Sequence, residues 1–151
     1  MKRNVWMAFI LAPFLFAGCG KTDTECVPAT VASEKAAMVA YCTANNITYT
    51  EHASGILYEV MSPGLGAQPA LTNTVSTVYT GKLLNNTQFD ASANPVSFLL
   101  SGVIKGWQIG IPLIKKGGRI KLVIPSSLAY GCNGSGSIPP NSPLYFEVTL
   151  T

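Results

Sequence analysis

The chain has 151 residues with ten Lys and Arg, seven Asp and Glu and one His, room for one domain of ordinary size. Setting aside Lys2 and Arg3, which lie in an apolar N-terminal stretch, leaves eight basic against seven acidic residues. That balance excludes the basic footprint of a nucleic-acid binder.

Lys2 and Arg3 precede an apolar run, Val5 to Ala17, broken only by Pro13. It falls short of the about 20 residues that a membrane span needs and reads as a signal sequence. The run ends in Ala17-Gly18-Cys19, small residues before a cysteine. This resembles a bacterial lipobox, in which residues 1–18 are cleaved and Cys19 is lipidated, so the expected location is an exported, membrane-anchored one. Gly20 after Cys19 favours the outer membrane, facing the periplasm.

Cys26, Cys42 and Cys132 remain, an odd number for an oxidising compartment, with no Cys-x-x-Cys or Cys/His cluster that would signal a metal site. Of the three pairings, Cys26–Cys42 is the expected disulfide, leaving Cys132 as a free thiol. Residues 19–53 read as a tether and a helical extension. Val31 to Ala44 is alanine-rich, with Ser33 placed to cap, Glu34 near the positive end and Asn45-Asn46 as a stop. Val31, Met38 and Cys42 share a face, which predicts that the helix docks on the strand-rich domain.

Beyond Asn46 the hydrophobic period changes from helical to alternating. Strands are expected over Ile56 to Met61, Val75 to Leu84, Gln88 to Asp90, Val96 to Leu100, Arg119 to Ile124 and Leu144 to Leu150. Asn85-Asn86-Thr87 is a turn and Ala91 to Pro95 a loop. Gly106 to Leu113 is a short helix, Pro125 to Tyr130 a bend and Gly131 to Pro140 a long loop. The fold class is therefore α+β, an antiparallel sheet with a short helix over one face.

The lone histidine, His52, lies outside the strand-rich region, which excludes a histidine-based hydrolytic triad, and the glycine-rich stretches lack the Lys-Ser/Thr of a phosphate loop. Only Asp90 offers a carboxylate inside the strand-rich core motifs, so a paired-carboxylate hydrolase finds no support. What remains is a set of aromatic and branched side chains at strand ends. In order these are Val78-Tyr79-Thr80-Gly81-Lys82-Leu83, Phe89-Asp90, Val103-Ile104-Lys105-Gly106-Trp107, Ile124 to Gly131, and Ile138-Pro139-Pro140-Asn141 with Leu144 to Val148 after it. Such a set suits an apolar pocket with a few fixed polar groups.

These five ordered motifs resemble the FKBP-type peptidyl-prolyl isomerase family, over residues 54–151. The resemblance implies a strongly curved antiparallel sheet wrapped round one short helix, and a pocket with Trp107 as its floor. It further implies Tyr79, Phe89, Val103, Ile104, Ile138 and Phe146 as walls, and Asp90 and Tyr130 as polar contacts and catalytic residues. Proline-containing polypeptides are the implied substrates and macrolides of the FK506 class the implied inhibitors, with no cofactor. Two departures stand out: Val96 occupies a wall position that is commonly aromatic, and Ala91 to Pro95 lacks the arginine that often accompanies the aspartate. The expected protein is a monomeric, lipid-anchored isomerase. The alternatives are a prolyl-segment-binding chaperone or assembly module with little turnover, and an inert lipoprotein of the same fold.

Overall fold

The fold is described from a computed structural model, over residues 25–151. Residues 1–24, with the signal sequence and Cys19, lie outside the described residues. In chain order the elements are α1 (Val31–Ala44), β1 (Thr50–Glu51), β2 (Leu57–Ser62), β3 (Thr74–Leu83), β4 (Gln88–Leu99), α2 (Lys105–Gly110), β5 (Arg119–Ile124) and β6 (Leu144–Leu150). The strands form one curved sheet in the order β1-β2-β5-β6-β3-β4, every neighbouring pair antiparallel.

Period-two alternation gives the sheet two buried faces. On the concave face Ile120, Leu122 and Ile124 of β5 and Leu144, Phe146, Val148 and Leu150 of β6 pack with Trp107 and Ile111. Val123 and Tyr145, the residues between, face the other way and meet Met38, Tyr41 and Cys42 of α1. Helix α1 thus docks on the convex face, as its apolar stripe predicts. Each fully buried apolar side chain there contributes about 1.5–3 kcal/mol.

The ends of α1 fall where its sequence places them, but the cap is Thr30. The Ser33 amide donates to Thr30 Oγ1 at 3.1 Å, while the Ser33 hydroxyl donates to the Thr30 carbonyl. Residues 88–99, expected as two strands around a loop, form one continuous β4. Thr77 pairs with Val96 and Tyr79 with Ser92, so Ala93, Asn94 and Pro95 are absorbed in a bulge. Proline is tolerated there because β4 is an edge strand, with no second partner among the described residues. The sheet also reaches back to Thr50–Glu51, before residue 54, through β1.

The expected Cys26–Cys42 disulfide is not formed. Cys26 is bonded to Cys132, with Cα atoms 5.4 Å apart, and Cys42 is a free, buried thiol. Their proximity in sequence does not bring Cys26 back along α1, because the segment before the helix runs to the loop of Cys132 and Asn141. There the Ala29 amide donates to Asn141 Oδ1 and Asn141 Nδ2 donates to the Val27 carbonyl, both at 3.0 Å. Cys42 points into the contact between α1 and the sheet, where burial pushes its thiol up to about 11.

Candidate active site

Helix α2 is short, and its position is fixed by the two glycines that flank its tryptophan. A Cβ at Gly106 would run into the Ile124 side chain, and one at Gly110 would lie 2.6 Å from Leu122 Cδ1. Without them the helix would stand off β5. With them it sits against the strand, and Trp107 is carried into the concave face, 4% exposed.

Three aromatic rings stand edge-on to that indole. Tyr79 from β3 and Phe146 from β6 have centroids 5.3 Å from it, and Phe98 from β4 lies at 5.8 Å. Phe89 joins edge-on to Phe146 at 5.5 Å. Edge-to-face pairs at these separations add about 0.5–1.5 kcal/mol each beyond area burial. They lock the rings upright, so the walls keep their spacing when nothing lies between them. Gly81 is part of the same construction, since a Cβ there would come within 2.7 Å of Phe89 and 2.8 Å of Phe146.

The rings enclose a cavity of about 330 Å³ lined by Tyr79, Phe89, Asp90, Phe98, Gly102, Val103, Ile104, Trp107, Tyr130 and Phe146. That is the small end of the range for ligand pockets, about 300–1,000 Å³. Eight of the nine residues that the family resemblance implies are thus brought together. Ile138 is not: it is 7% exposed and packs into the concave core. A tight turn puts it there, the Ile138 amide donating to the Ser135 carbonyl at 2.8 Å and the Ser135 amide to the Ile138 carbonyl at 2.9 Å. Phe98 was not singled out from the sequence. It stands two residues past Val96 in the same strand, where alternation gives both the same facing, and supplies an aromatic wall.

Asp90 is the only charged residue lining the cavity among the described residues. Its Oδ2 accepts from the Tyr79 hydroxyl at 2.7 Å. Burial, and then this bond to a carboxylate, push the Tyr79 phenol up to about 12. Tyr79 therefore remains a hydroxyl throughout the neutral range, donating to Asp90 and unable to act as a base. Tyr130 stands at the rim, 38% exposed, at the end of the Pro125 to Tyr130 bend. No group of three or more potential metal-ligating His, Cys, Asp or Glu residues occurs among the described residues.

The family model for the FKBP-type peptidyl-prolyl cis-trans isomerases matches residues 66–151, which include every residue lining the cavity. The chain belongs to this family. It is 48% identical over 101 residues to the FKBP-type peptidyl-prolyl cis-trans isomerase FkpA of Escherichia coli, covering 65% of this chain and 37% of that protein. It is 50% identical over 101 residues to a probable FKBP-type peptidyl-prolyl cis-trans isomerase of Haemophilus influenzae, covering 64% and 42%. The chain thus matches less than half the length of either relative. A crystal structure of a peptidyl-prolyl cis-trans isomerase from Pseudomonas syringae superposes with a TM-score of 0.68 at 34% identity, over 82% of this chain and 96% of that one. The FKBP fold expected from the five motifs is the fold observed.

Proposed function

We propose that this protein accelerates cis-trans rotation of X-Pro bonds in polypeptide clients, by binding alone. The observation that carries the reading is the cavity, an apolar box of fixed rings round a buried indole, with Asp90 its one charged lining residue among the described residues. The reaction asks for nothing more reactive. The barrier to peptide rotation, about 18–20 kcal/mol, is amide resonance. Cis and trans X-Pro differ by only about 0.5–1 kcal/mol, so rate is the obstacle. At the twisted transition state conjugation is lost and the carbonyl becomes less polar. A water-poor pocket favours that state over the planar amide, which is differential binding of the transition state.

In this reading Trp107, Val103, Ile104 and Phe146 receive the prolyl ring, and Tyr79, Phe89 and Phe98 form its remaining walls. Tyr130 orients the substrate carbonyl through its hydroxyl or its backbone N–H. Asp90 acts through Tyr79, keeping the phenol donor pointed and the ring upright. A protease-coupled assay on a prolyl peptide tests it. The wild-type chain should turn over, and Tyr130→Phe and Asp90→Ala should each lower kcat/KM. Tight prolyl-peptide binding without turnover would leave a holding chaperone instead. Unchanged kcat/KM in both variants would remove the two residues from the mechanism.

The setting we propose is extracytoplasmic. The lipobox-like stretch at Ala17-Gly18-Cys19 supports cleavage after residue 18 and lipid attachment at Cys19, with the protein monomeric on the periplasmic face of the outer membrane. The Cys26–Cys132 disulfide suits an oxidising compartment. Mass spectrometry of the N-terminal peptide from membrane fractions checks the anchor. Macrolides of the FK506 class are the proposed inhibitors, bound in the same aromatic cavity and detectable by quenching of Trp107.

A further inference from the structure

The residues that carry Tyr130 are held from outside the isomerase fold, by the N-terminal extension. Three contacts from residues 25–34 reach the stretch Pro125 to Asn141, and they bracket Tyr130 in sequence. Four residues before it, Ser126 is gripped by Glu34 of α1: the Ser126 amide donates to Glu34 Oε2 at 2.8 Å and the Ser126 hydroxyl to Glu34 Oε1 at 2.5 Å. Two residues after it, Cys132 is bonded to Cys26. At the far end Asn141 is bound through its side chain to Val27 and Ala29, while its own amide donates to the Gly131 carbonyl at 2.8 Å.

Tyr130 is otherwise weakly fixed. It is exposed, lies between two single turns of 3-10 helix (Ser126–Leu128 and Gly131–Asn133), and its side chain makes no hydrogen bond among the described residues. Glu34 is the opposite, a buried carboxylate, 7% exposed, in the first turn of a helix. A carboxylate there is costly unless hydrogen-bonded, and its two charge-assisted bonds go to the base of this bend. An acid in the first turn suits the helix dipole by itself; what that role does not call for is its burial, with both oxygens bound to Ser126.

We infer that Glu34 is a positioning residue for the active site, and that with the Cys26–Cys132 bond and Asn141 it forms a brace that sets where Tyr130 stands over the cavity. The inference rests on the isomerase reading for its kinetic consequence, but its structural part does not. A small misplacement of a substrate-orienting group costs on the order of ten-fold or more in rate, so the extension tunes the pocket without touching substrate.

The test uses the chain from Cys19 onward, with amide NMR and the prolyl-peptide assay on the same samples. In Glu34→Ala and in the Cys26→Ser/Cys132→Ser pair, the Tyr130 amide resonance should move while those of Leu122 and Val148 stay. Their kcat/KM should fall about ten-fold. Glu34→Gln keeps an acceptor for the Ser126 amide and a donor for its hydroxyl, so it should hold kcat/KM within about two-fold. Adding reductant to the folded wild-type protein should move the Tyr130 resonance and leave the Cys26→Ser/Cys132→Ser variant unaffected, a check that needs no mutant to fold. A Tyr130 resonance that stays in place in every one of these samples overturns the brace. So does a loss of activity that merely follows the unfolded fraction seen by circular dichroism. Absence of turnover in the wild type would instead strike the isomerase reading, and the Tyr130 resonance would still decide the brace.

Discussion

The two faces of the sheet are built from neighbouring residues and do different things. Phe146 points to the concave face and lines the cavity, while Tyr145 points to the convex face and packs against Tyr41 at 5.4 Å. The convex side is filled by the side chains of one helix. Part of the concave side is held open as the cavity, because the rings there brace one another edge-on instead of collapsing together. The convex face, under α1, is packed throughout, whereas the concave face carries both the larger core, under α2, and the cavity beside it. Order within a wall, more than tight filling, keeps a cavity available for a ligand.

Substitutions on the two faces should separate these roles. The largest effect is expected for Met38→Ala, which hollows the convex core. It should lower unfolding free energy by about 2–5 kcal/mol in a denaturant titration, with kcat/KM of the folded protein little changed. Trp107→Leu keeps an apolar floor but removes the indole that three rings lean on. It should leave partial activity, with kcat/KM down by about ten-fold, or about 1.4 kcal/mol, whereas Met38→Ala leaves kcat/KM little changed. If kcat/KM of folded Met38→Ala falls as far as that of Trp107→Leu, the division between the faces fails.

Asp90→Ala comes next, with a drop of a few-fold in kcat/KM and a spectroscopic signature. It removes the hydrogen bond and the negative charge that help to raise Tyr79, so the phenol should titrate below about 12, while burial still holds it above the ordinary tyrosine range. The sign for stability comes from linkage. The folded protein holds the Tyr79 proton more tightly than the unfolded chain does, so this contribution is complete below about pH 10. It is lost as the pH rises toward 12. Alkaline difference absorbance near the phenolate band checks both statements. The smallest effect belongs to Lys35→Ala, which breaks an exposed pair with Glu51 at 2.7 Å between α1 and β1. It should change stability by no more than about 1 kcal/mol, and less at high salt.

Much of the fold was legible in the residues. The period change after Asn46, the alternation in Arg119 to Ile124 and Leu144 to Leu150, and the alanine-rich Val31 to Ala44 mark elements whose bounds the structure keeps. The pocket set was legible only through the ordered motifs, since spacing alone carries no geometry. Three features were not. Asn94-Pro95 carries loop chemistry, and only pairing along β3 turns it into a bulge within a strand. Ile138 belongs to a motif that flanks the pocket, but a local turn folds its side chain into the core. The disulfide escaped because cysteine spacing says nothing about which distant loops meet: Cys26 and Cys132 are 106 residues apart and are brought together where residues 27–29 bind Asn141.

The strand order has a consequence for how this protein assembles itself. Strand β6 comes after every other strand in the chain, yet it lies between β5 and β3. Without it the sheet is two disconnected pieces, β1-β2-β5 and β3-β4, and each leaves an unpaired inner edge of backbone amides and carbonyls. It is a keystone: the cavity has no Phe146 wall, and its two halves no shared scaffold, until this strand has paired with both neighbours. Pairing at such sequence separation slows closure, and any form without it exposes sticky edges. A protein proposed to hasten the folding of others therefore passes through the kind of vulnerable interval from which it would spare its clients.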